Sequence, residues 1–162
     1  MLTLVLRGTG SRYIGWQHQH KKGEENMKVK YGIIDAEDRQ QWLAKISKIQ
    51  LSPKYAVRIK KMKSQIDNAL KGSREVKSEL LEEYGTKNPK DGSITVTQKK
   101  ENEDGYDKWA EFKEKWEELL NTEVEFEPWT VFTEDELEQL DKIELTGEDI
   151  EYFDFFGAIA WK

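Results

Sequence analysis

Carboxylates are the side chains of this sequence best suited to chemistry. Two runs of consecutive carboxylates stand out, Glu117-Glu118 and Glu134-Asp135-Glu136. General acid–base catalysis needs one carboxyl group with a raised pKa in a cleft, whereas both sets stand among other charged residues. A Mg²⁺ site built from several of them is conceivable, but no spacing matches an EF-hand loop. We therefore expect no catalytic residue and no metal site.

The other common catalytic and metal-binding residues are scarce. Cysteine is absent, and both histidines, His18 and His20, precede Met27. A His-x-His pair can bind a metal ion, but this one lacks a supporting carboxylate or cysteine cluster, so a flexible polar segment is the favoured interpretation. The sequence also lacks a Gly-rich phosphate loop and the G-x-S-x-G and H-E-x-x-H motifs. It predicts a protein that is not an enzyme and has no cofactor.

The first 26 residues look unlike the rest of the chain. The stretch 21–26, Lys-Lys-Gly-Glu-Glu-Asn, back-translates with A-rich codons into a purine-rich ribosome-binding site before Met27. We therefore expect residues 1–26 to be a non-native or flexible extension and residues 27–162 to form a single helix-rich domain. The alternative is an N-terminal segment that docks through Tyr13, Ile14 and Trp16.

Composition narrows the class of protein. Charged residues make up 36% of the chain and hydrophobic residues another 36%, which favours elongated helices over a large core. Six Trp, six Tyr and six Phe argue against full disorder. No stretch approaches the roughly 20 apolar residues that span a bilayer. Because cysteine is absent, a reducing compartment is expected.

Two helical stripes dominate the apolar pattern. One begins at Ser52-Pro53, a helix start with proline at the first position, and ends at Gly85. A shorter helix is predicted over about 104–121. Gly72 weakens the first helix and suggests a close approach of another helix or a bend. The two stripes, in chain order, consist of Tyr55, Ile59, Met62, Ile66, Ala69, Ser73, Val76, Leu80, Tyr84 and of Trp109, Phe112, Trp116, Leu119.

Shorter patterns supply the remaining elements. Residues 28–33 and 123–127 alternate polar and apolar side chains and carry opposite charges, which predicts that they pair in a small two-stranded sheet. Asp91-Gly92 predicts a hairpin turn at the tip. Asp35 is expected to cap a helix through about Gln50, and two capping boxes open short C-terminal helices at Thr133 and Thr146. The expected fold is α+β and mostly α: a long antiparallel helical hairpin with a β-hairpin tip, a small two-stranded sheet and short C-terminal helices.

Charge divides the chain into two parts. Residues 27–100 carry 17 Lys and Arg against 9 Asp and Glu, whereas residues 101–162 carry 5 against 21. The favoured interpretation is that the basic helix lies beside the acidic one and the two match in charge. The alternative for the basic helix is phosphate binding over 54–77. For the acidic run from Glu101 to Asp154, a solvated surface that keeps the protein soluble is favoured over one that imitates a phosphate backbone. The candidate partner-binding residues are Glu111, Glu114, Glu117, Glu118, Glu134, Asp135, Glu136, Lys60, Lys63, Arg74, Phe155 and Phe156.

The aromatic tail has two interpretations. Tyr152, Phe153, Phe155 and Phe156 most simply pack on the base of the bundle near Trp42 and Trp129. An exposed part of this tail would instead be a binding or self-association patch.

One arrangement resembles a known family. It comprises Leu51-Ser52-Pro53-Lys54-Tyr55-Ala56, the helix end Leu80-Leu81-Glu82-Glu83-Tyr84-Gly85, then Lys90-Asp91-Gly92, and the stretch from Glu118 to Glu125. This is similar to a family of small helix-rich proteins of unassigned function encoded by tailed phages of low-GC Gram-positive bacteria. The resemblance covers about 40–155 and implies no catalytic residues.

These patterns together lead to a functional expectation. We expect a phage-encoded protein-binding module that modulates or inhibits a host or anti-phage defence complex in the host bacterial cytoplasm. The alternative is a virion or tail-assembly component, for which a homo-oligomer is expected. Nucleic-acid binding through the basic helix is a third and weaker hypothesis, and membrane association is not expected.

Overall fold

The computed structural model describes residues 26–140 and 145–162. The expected extension over 1–26, with both histidines, lies outside the described residues except for Asn26. The predicted class, α+β and mostly α, is confirmed. In chain order the elements are β1 (Met27–Lys30), α1 (Tyr31–Ile34), α2 (Glu37–Ile46), α3 (Pro53–Tyr84), β2 (Thr86–Lys87), β3 (Ile94–Thr95), α4 (Tyr106–Asn121), β4 (Glu123–Phe126), β5 (Phe132–Thr133), α5 (Glu134–Gln139), α6 (Gly147–Phe155) and β6 (Ile159–Ala160).

The predicted charge-matched strand pair is present. Strands β1 and β4 are antiparallel, with Lys28 opposite Glu125 and Lys30 opposite Glu123 on the exposed face. Met27 and its partner Phe126 are buried on the other face. Tyr31, which the alternation placed in the strand, instead begins the single helical turn α1. Its backbone N–H donates to the carbonyl of Thr122, so the turn remains tied to β4.

Helix α3 confirms the predicted long helix, with Pro53 at its first position. It is 32 residues long, or roughly 48 Å at about 1.5 Å per residue. Its buried stripe is dense only as far as Leu70. Beyond that point Leu80 is the only fully buried residue of α3, and Val76, predicted on the seam, is 44% exposed. The fully buried residues are Tyr55, Ile59, Met62, Ile66, Leu70 and Leu80.

Helix α4 returns along the last turns of α3. The Tyr84 and Phe112 rings lie 5.7 Å apart, and Phe112 stacks on Trp116 at 5.3 Å, so the predicted aromatic stripe does face α3. These rings are only half-buried, and Leu119 is the single fully buried residue of α4. The hairpin is therefore held by a thin layer of contacts.

The β-hairpin tip packs against the end of α3. Strands β2 and β3 pair in antiparallel register, and Gly92 takes the left-handed conformation in the turn, as predicted. Gly85 has an extended backbone and is required for a different reason. A Cβ there would collide with the side chain of Ile94 and with the carbonyl oxygen of Leu81. The end of α3 and the tip hairpin are thus in direct contact.

The aromatic tail confirms the prediction that it packs into the core near Trp42. The Trp42 ring stacks on Tyr152 at 5.0 Å, meets Phe153 edge-on at 4.8 Å and stacks on Phe156 at 6.0 Å. Phe132 of β5 completes the cluster, since its ring lies 5.1 Å from that of Phe153. The parallel pairing of β5 with β6, which no local pattern indicated, closes this core.

Two local predictions are wrong. Asp35 does not cap α2, whose N-cap is Ala36, and the helix ends at Ile46 rather than near Gln50. The Asp35 carboxylate instead accepts hydrogen bonds from the Tyr31 hydroxyl at 2.6 Å and from Arg74 at 2.9 Å. A long-range ion pair has therefore replaced the local cap. Of the two alternatives for Gly72, a close approach or a bend, the structure shows no close approach among the described residues, because a Cβ there would meet nothing within 4 Å.

Candidate protein-binding arm

Several of the predicted binding residues serve the fold instead. Glu136 accepts from Arg58 at 2.9 Å, pairs with Lys54 at 3.1 Å and closes the α5 capping box with Thr133. Burial opposes the ionisation of Glu136, but the hydrogen bonds from Thr133, Lys54 and Arg58 outweigh burial and lower its pKa to about 2. Its neighbours Glu134 and Asp135 contact Lys162 at the end of the chain. This carboxylate set fastens α5 to α3 and to the C-terminal residues, so Glu136 is not available to a partner.

Two of the basic candidates are also engaged. Arg74 donates to Asp35, Asp67 and Gln40, and Lys63 pairs with Asp67 at 2.7 Å. Burial of the Asp35 carboxyl group is outweighed by its hydrogen bonds with Arg74 and Tyr31, which lower its pKa. These contacts hold the α1–α2 turn against the middle of α3.

Lys60 differs from the other basic candidates. Its side chain is exposed and makes no ion pair within the described residues. It is the one basic candidate that remains accessible.

The aromatic candidates are not an exposed patch. Phe156 is fully buried, so its side chain cannot contact a partner. Phe155 is half-buried, with the guanidinium of Arg39 4.1 Å from the centre of its ring. The tail is therefore core, which agrees with the interpretation favoured from the sequence.

The expected charge match between α3 and α4 is wrong. No ion pair in residues 26–140 and 145–162 joins these two helices. The reason lies in how charge is distributed along α3. Residues 53–74 carry seven Lys and Arg against one acidic residue, whereas residues 75–84 carry one lysine against four glutamates. Helix α4 lies beside the acidic end, as the Tyr84–Phe112 contact shows. The paired helical segments are both acidic.

We define the arm as residues 75–118 and the base as the other described residues. Eight exposed glutamates cover the two helices of the arm, four on each. Residues 75–84 and 106–118 together carry nine acidic residues against four lysines. The glutamates are Glu75, Glu79, Glu82 and Glu83 on α3 and Glu111, Glu114, Glu117 and Glu118 on α4.

This charge arrangement opposes helix stability. The first turn of α3 has no acidic residue and its last turn has no basic residue. The helix macrodipole disfavours a positive charge at the start of a helix and a negative charge at its end, by about 0.3–1 kcal/mol of helix stability per charge. Helix α3 has Lys54 at its start and Glu82 and Glu83 at its end. Like charges on neighbouring helices add to this destabilisation. A requirement other than folding therefore explains these glutamates best.

The lysines of the arm neutralise only part of its acidic surface. Lys115 pairs with Glu111 at 3.3 Å and donates to the Tyr84 hydroxyl at 2.9 Å. The Tyr84 hydroxyl and the Lys115 ammonium lower the pKa of Glu111. Lys113 lies 4.0 Å from Glu117. These pairs are exposed, so each contributes little to stability.

Glu114 and Glu118 are the least engaged of the predicted acidic candidates. Their carboxylates make no ion pair or hydrogen bond among the described residues, and both are exposed. An arginine or lysine of a partner could approach them without displacing an internal contact.

The sequence reasoning missed the four glutamates at the end of α3. They were hidden because charge was summed over residues 27–100 as one block. Counting charge separately over each half of the single predicted helix 53–84 would have revealed them, since its polarity reverses after Arg74.

Within the described parts of the chain, no group of three or more His, Asp or Glu side chains is placed to hold a metal ion. In the same residues no helix is both long and apolar enough to cross a membrane. Comparison with known proteins gave no match, whether to a protein-family model, to a curated protein or to a solved structure.

Proposed function

We propose that this protein is a non-enzymatic binding module whose acidic arm engages a basic surface of a partner protein. One observation carries the proposal: the arm pairs two acidic helix faces that gain no ion pair from each other and are held by few buried side chains. Such a surface is retained at the expense of folding stability, and its use as a complementary surface for a basic partner explains it.

The biological setting of the proposal comes from the sequence. The resemblance to small phage proteins and the lysine- and glutamate-rich composition support a phage-encoded protein acting in the cytoplasm of its host. The partner would be a host or defence complex that the protein modulates or inhibits. A rigid series of carboxylates suits a complex with a basic channel or groove.

The test compares two variants with the same change in net charge. Glu114→Lys/Glu118→Lys reverses charge on the outer face of α4, and Glu138→Lys/Glu151→Lys reverses charge on exposed residues of the base. Each variant is used to capture proteins from infected host cells at low salt. We expect a partner that the wild type and the base variant retain, that the arm variant loses, and that high salt releases. Equal retention by both variants would contradict the proposal.

A second function, assembly into the phage particle, is favoured by one observation. The outward face of α3 is exposed from Val57 to Glu83, which leaves a long surface available for contacts between copies. A particle component should be present in purified virions at a fixed stoichiometry. A modulator of a host complex should be absent from them.

A further inference from the structure

The outward face of α3 carries opposite charges at its two ends. Lys60 and Lys61 are exposed near the start of the helix, and no exposed carboxylate lies between Pro53 and Arg74. Glu75, Glu79, Glu82 and Glu83 are exposed on the following turns. A surface that is basic at one end and acidic at the other is complementary to itself when two copies lie antiparallel.

The middle of this face has short side chains and a glycine. Ser64, Asn68 and Gly72 follow one another at steps of four residues and are exposed. Glycine destabilises a helix interior by about 1 kcal/mol relative to alanine. Nothing in the part of the chain that the structure describes requires Gly72, because a Cβ there would meet no atom within 4 Å. A small residue at this point would let a second helix cross at a short interaxial distance.

Apolar groups on the same helix are also left uncovered. Val57 is 52% exposed and Val76 is 44% exposed, the two largest exposed fractions among the large hydrophobic residues of the described chain. They lie on either side of the small central residues. A partner helix that ran along this face would shield both from water.

We propose that this face is the interface of an antiparallel homodimer, in which the basic half of α3 in one copy lies against the acidic half in the other and the Gly72 residues meet near the crossing point. Two equivalent sets of attractions form, because the twofold axis repeats each contact. This association goes beyond the proposed function and uses α3 in place of the outer glutamates of α4.

The size of the interface predicts a weak dimer. The face from Val57 to Glu83 extends over roughly 40 Å at about 1.5 Å per residue, and a helix is about 10 Å wide. Each copy would therefore bury on the order of 400 Å², which is below the roughly 800 Å² per partner of a stable interface. We expect the dimer at high protein concentration and low ionic strength, with screening at about 1 M salt dissociating it.

Two variants with opposite charge reversals, measured alone and then mixed, test the antiparallel arrangement directly. The variant Lys60→Glu/Lys61→Glu places acidic side chains at both ends of the face, and Glu79→Lys/Glu83→Lys places basic side chains at both ends. We expect sedimentation velocity to show each variant alone dimerising at least about tenfold more weakly than the wild type, and their equimolar mixture dimerising again. Only the mixture restores opposite charges at both ends. The base variant Glu138→Lys/Glu151→Lys should dimerise like the wild type.

A steric variant tests the crossing point. Gly72→Leu adds a side chain where the monomer has open space and improves helix propensity, so the fold should be retained. We expect it to abolish the dimer without lowering thermal stability. A wild type that stays monomeric at the highest concentration reached, a mixture that does not reassociate, or an unaffected Gly72→Leu dimer would overturn the proposal. Binding of a captured partner through Glu114 and Glu118 would be unaffected by these results, which separates the two proposals.

Discussion

In the base, Phe132, Phe153 and Phe156 are fully shielded from water, and Trp42 meets three other rings. In the arm, Phe112 and Trp116 stack on one another but remain half-exposed, and the carboxylates of Glu114 and Glu118 have no partner among the described residues. The base thus encloses several aromatic rings fully, whereas the arm leaves its rings partly exposed and pairs only some of its glutamates. The difference indicates that folding stability resides mainly in the base, where most of the buried apolar surface lies.

Removing a base aromatic should have the largest effect on stability. Phe153→Ala deletes a ring that is fully buried against Trp42 and Phe132, so we expect a loss of about 3–5 kcal/mol in the free energy of unfolding. Urea denaturation followed by circular dichroism measures it. The arm variant Phe112→Ala is the comparison and should lose less than half as much. Equal losses would show that the arm is as tightly packed as the base.

The buried carboxylate of the base should come next. Asp149 accepts from Trp42 Nε1 at 2.9 Å and closes the α6 capping box with Thr146. Asp149→Ala removes the carboxylate half of the capping box and leaves the Trp42 N–H without its acceptor, so we expect a loss of about 2–3 kcal/mol in the free energy of unfolding. Glu148→Ala, an exposed neighbour on the same helix, should change stability by less than about 0.5 kcal/mol. The same urea titrations measure the free energy of unfolding of both variants. Similar losses in the two would contradict the proposed contribution of the Asp149 carboxylate.

Acid should weaken the base through three carboxylates that accept hydrogen bonds there. Burial raises the pKa of Asp35, Glu136 and Asp149, but their hydrogen bonds prevail and leave each pKa below its ordinary value. The unfolded chain therefore binds more protons, so stability is complete above an ordinary pKa of about 4 and falls as pH drops toward about 2. Urea midpoints measured from pH 6 to pH 3 should decline. The decline should be smaller in Asp149→Asn.

The smallest effect should have opposite signs in the two regions. Glu114→Gln removes a negative charge from the acidic arm and should raise the free energy of unfolding by a few tenths of a kcal/mol. Glu125→Gln weakens the cross-strand pair with Lys28 and should lower it by a similar amount. Thermal melts at low salt detect both shifts, and about 1 M NaCl should suppress them. Shifts of the same sign would contradict the contrast in charge.

The sequence predicted features whose causes are local. Proline at the start of α3, the capping boxes at Thr133 and Thr146 and the turn at Gly92 depend on a few adjacent residues. The pairing of β1 with β4 was also predictable, because alternation and opposite charge specify both partners.

What the sequence did not predict depends on residues far apart in the chain. Asp35 is a plausible cap by local rules, but Arg74 arrives from 39 residues away and binds its carboxylate. The parallel pairing of Phe132 with Ile159 has no local signature either. The site was misjudged for a different reason: charge was summed over residues 27–100, which hid the reversal of charge along α3 after Arg74.

The contact of Gly85 with Ile94 has a practical consequence for measuring motion. Because the tip hairpin packs directly against the last turn of α3, the turn over 88–93 should move together with that helix. The chain has no native cysteine, so Lys90→Cys would provide a unique thiol for a spin label or fluorophore at this exposed turn. Distances between such probes would report how the far ends of two molecules are oriented in solution.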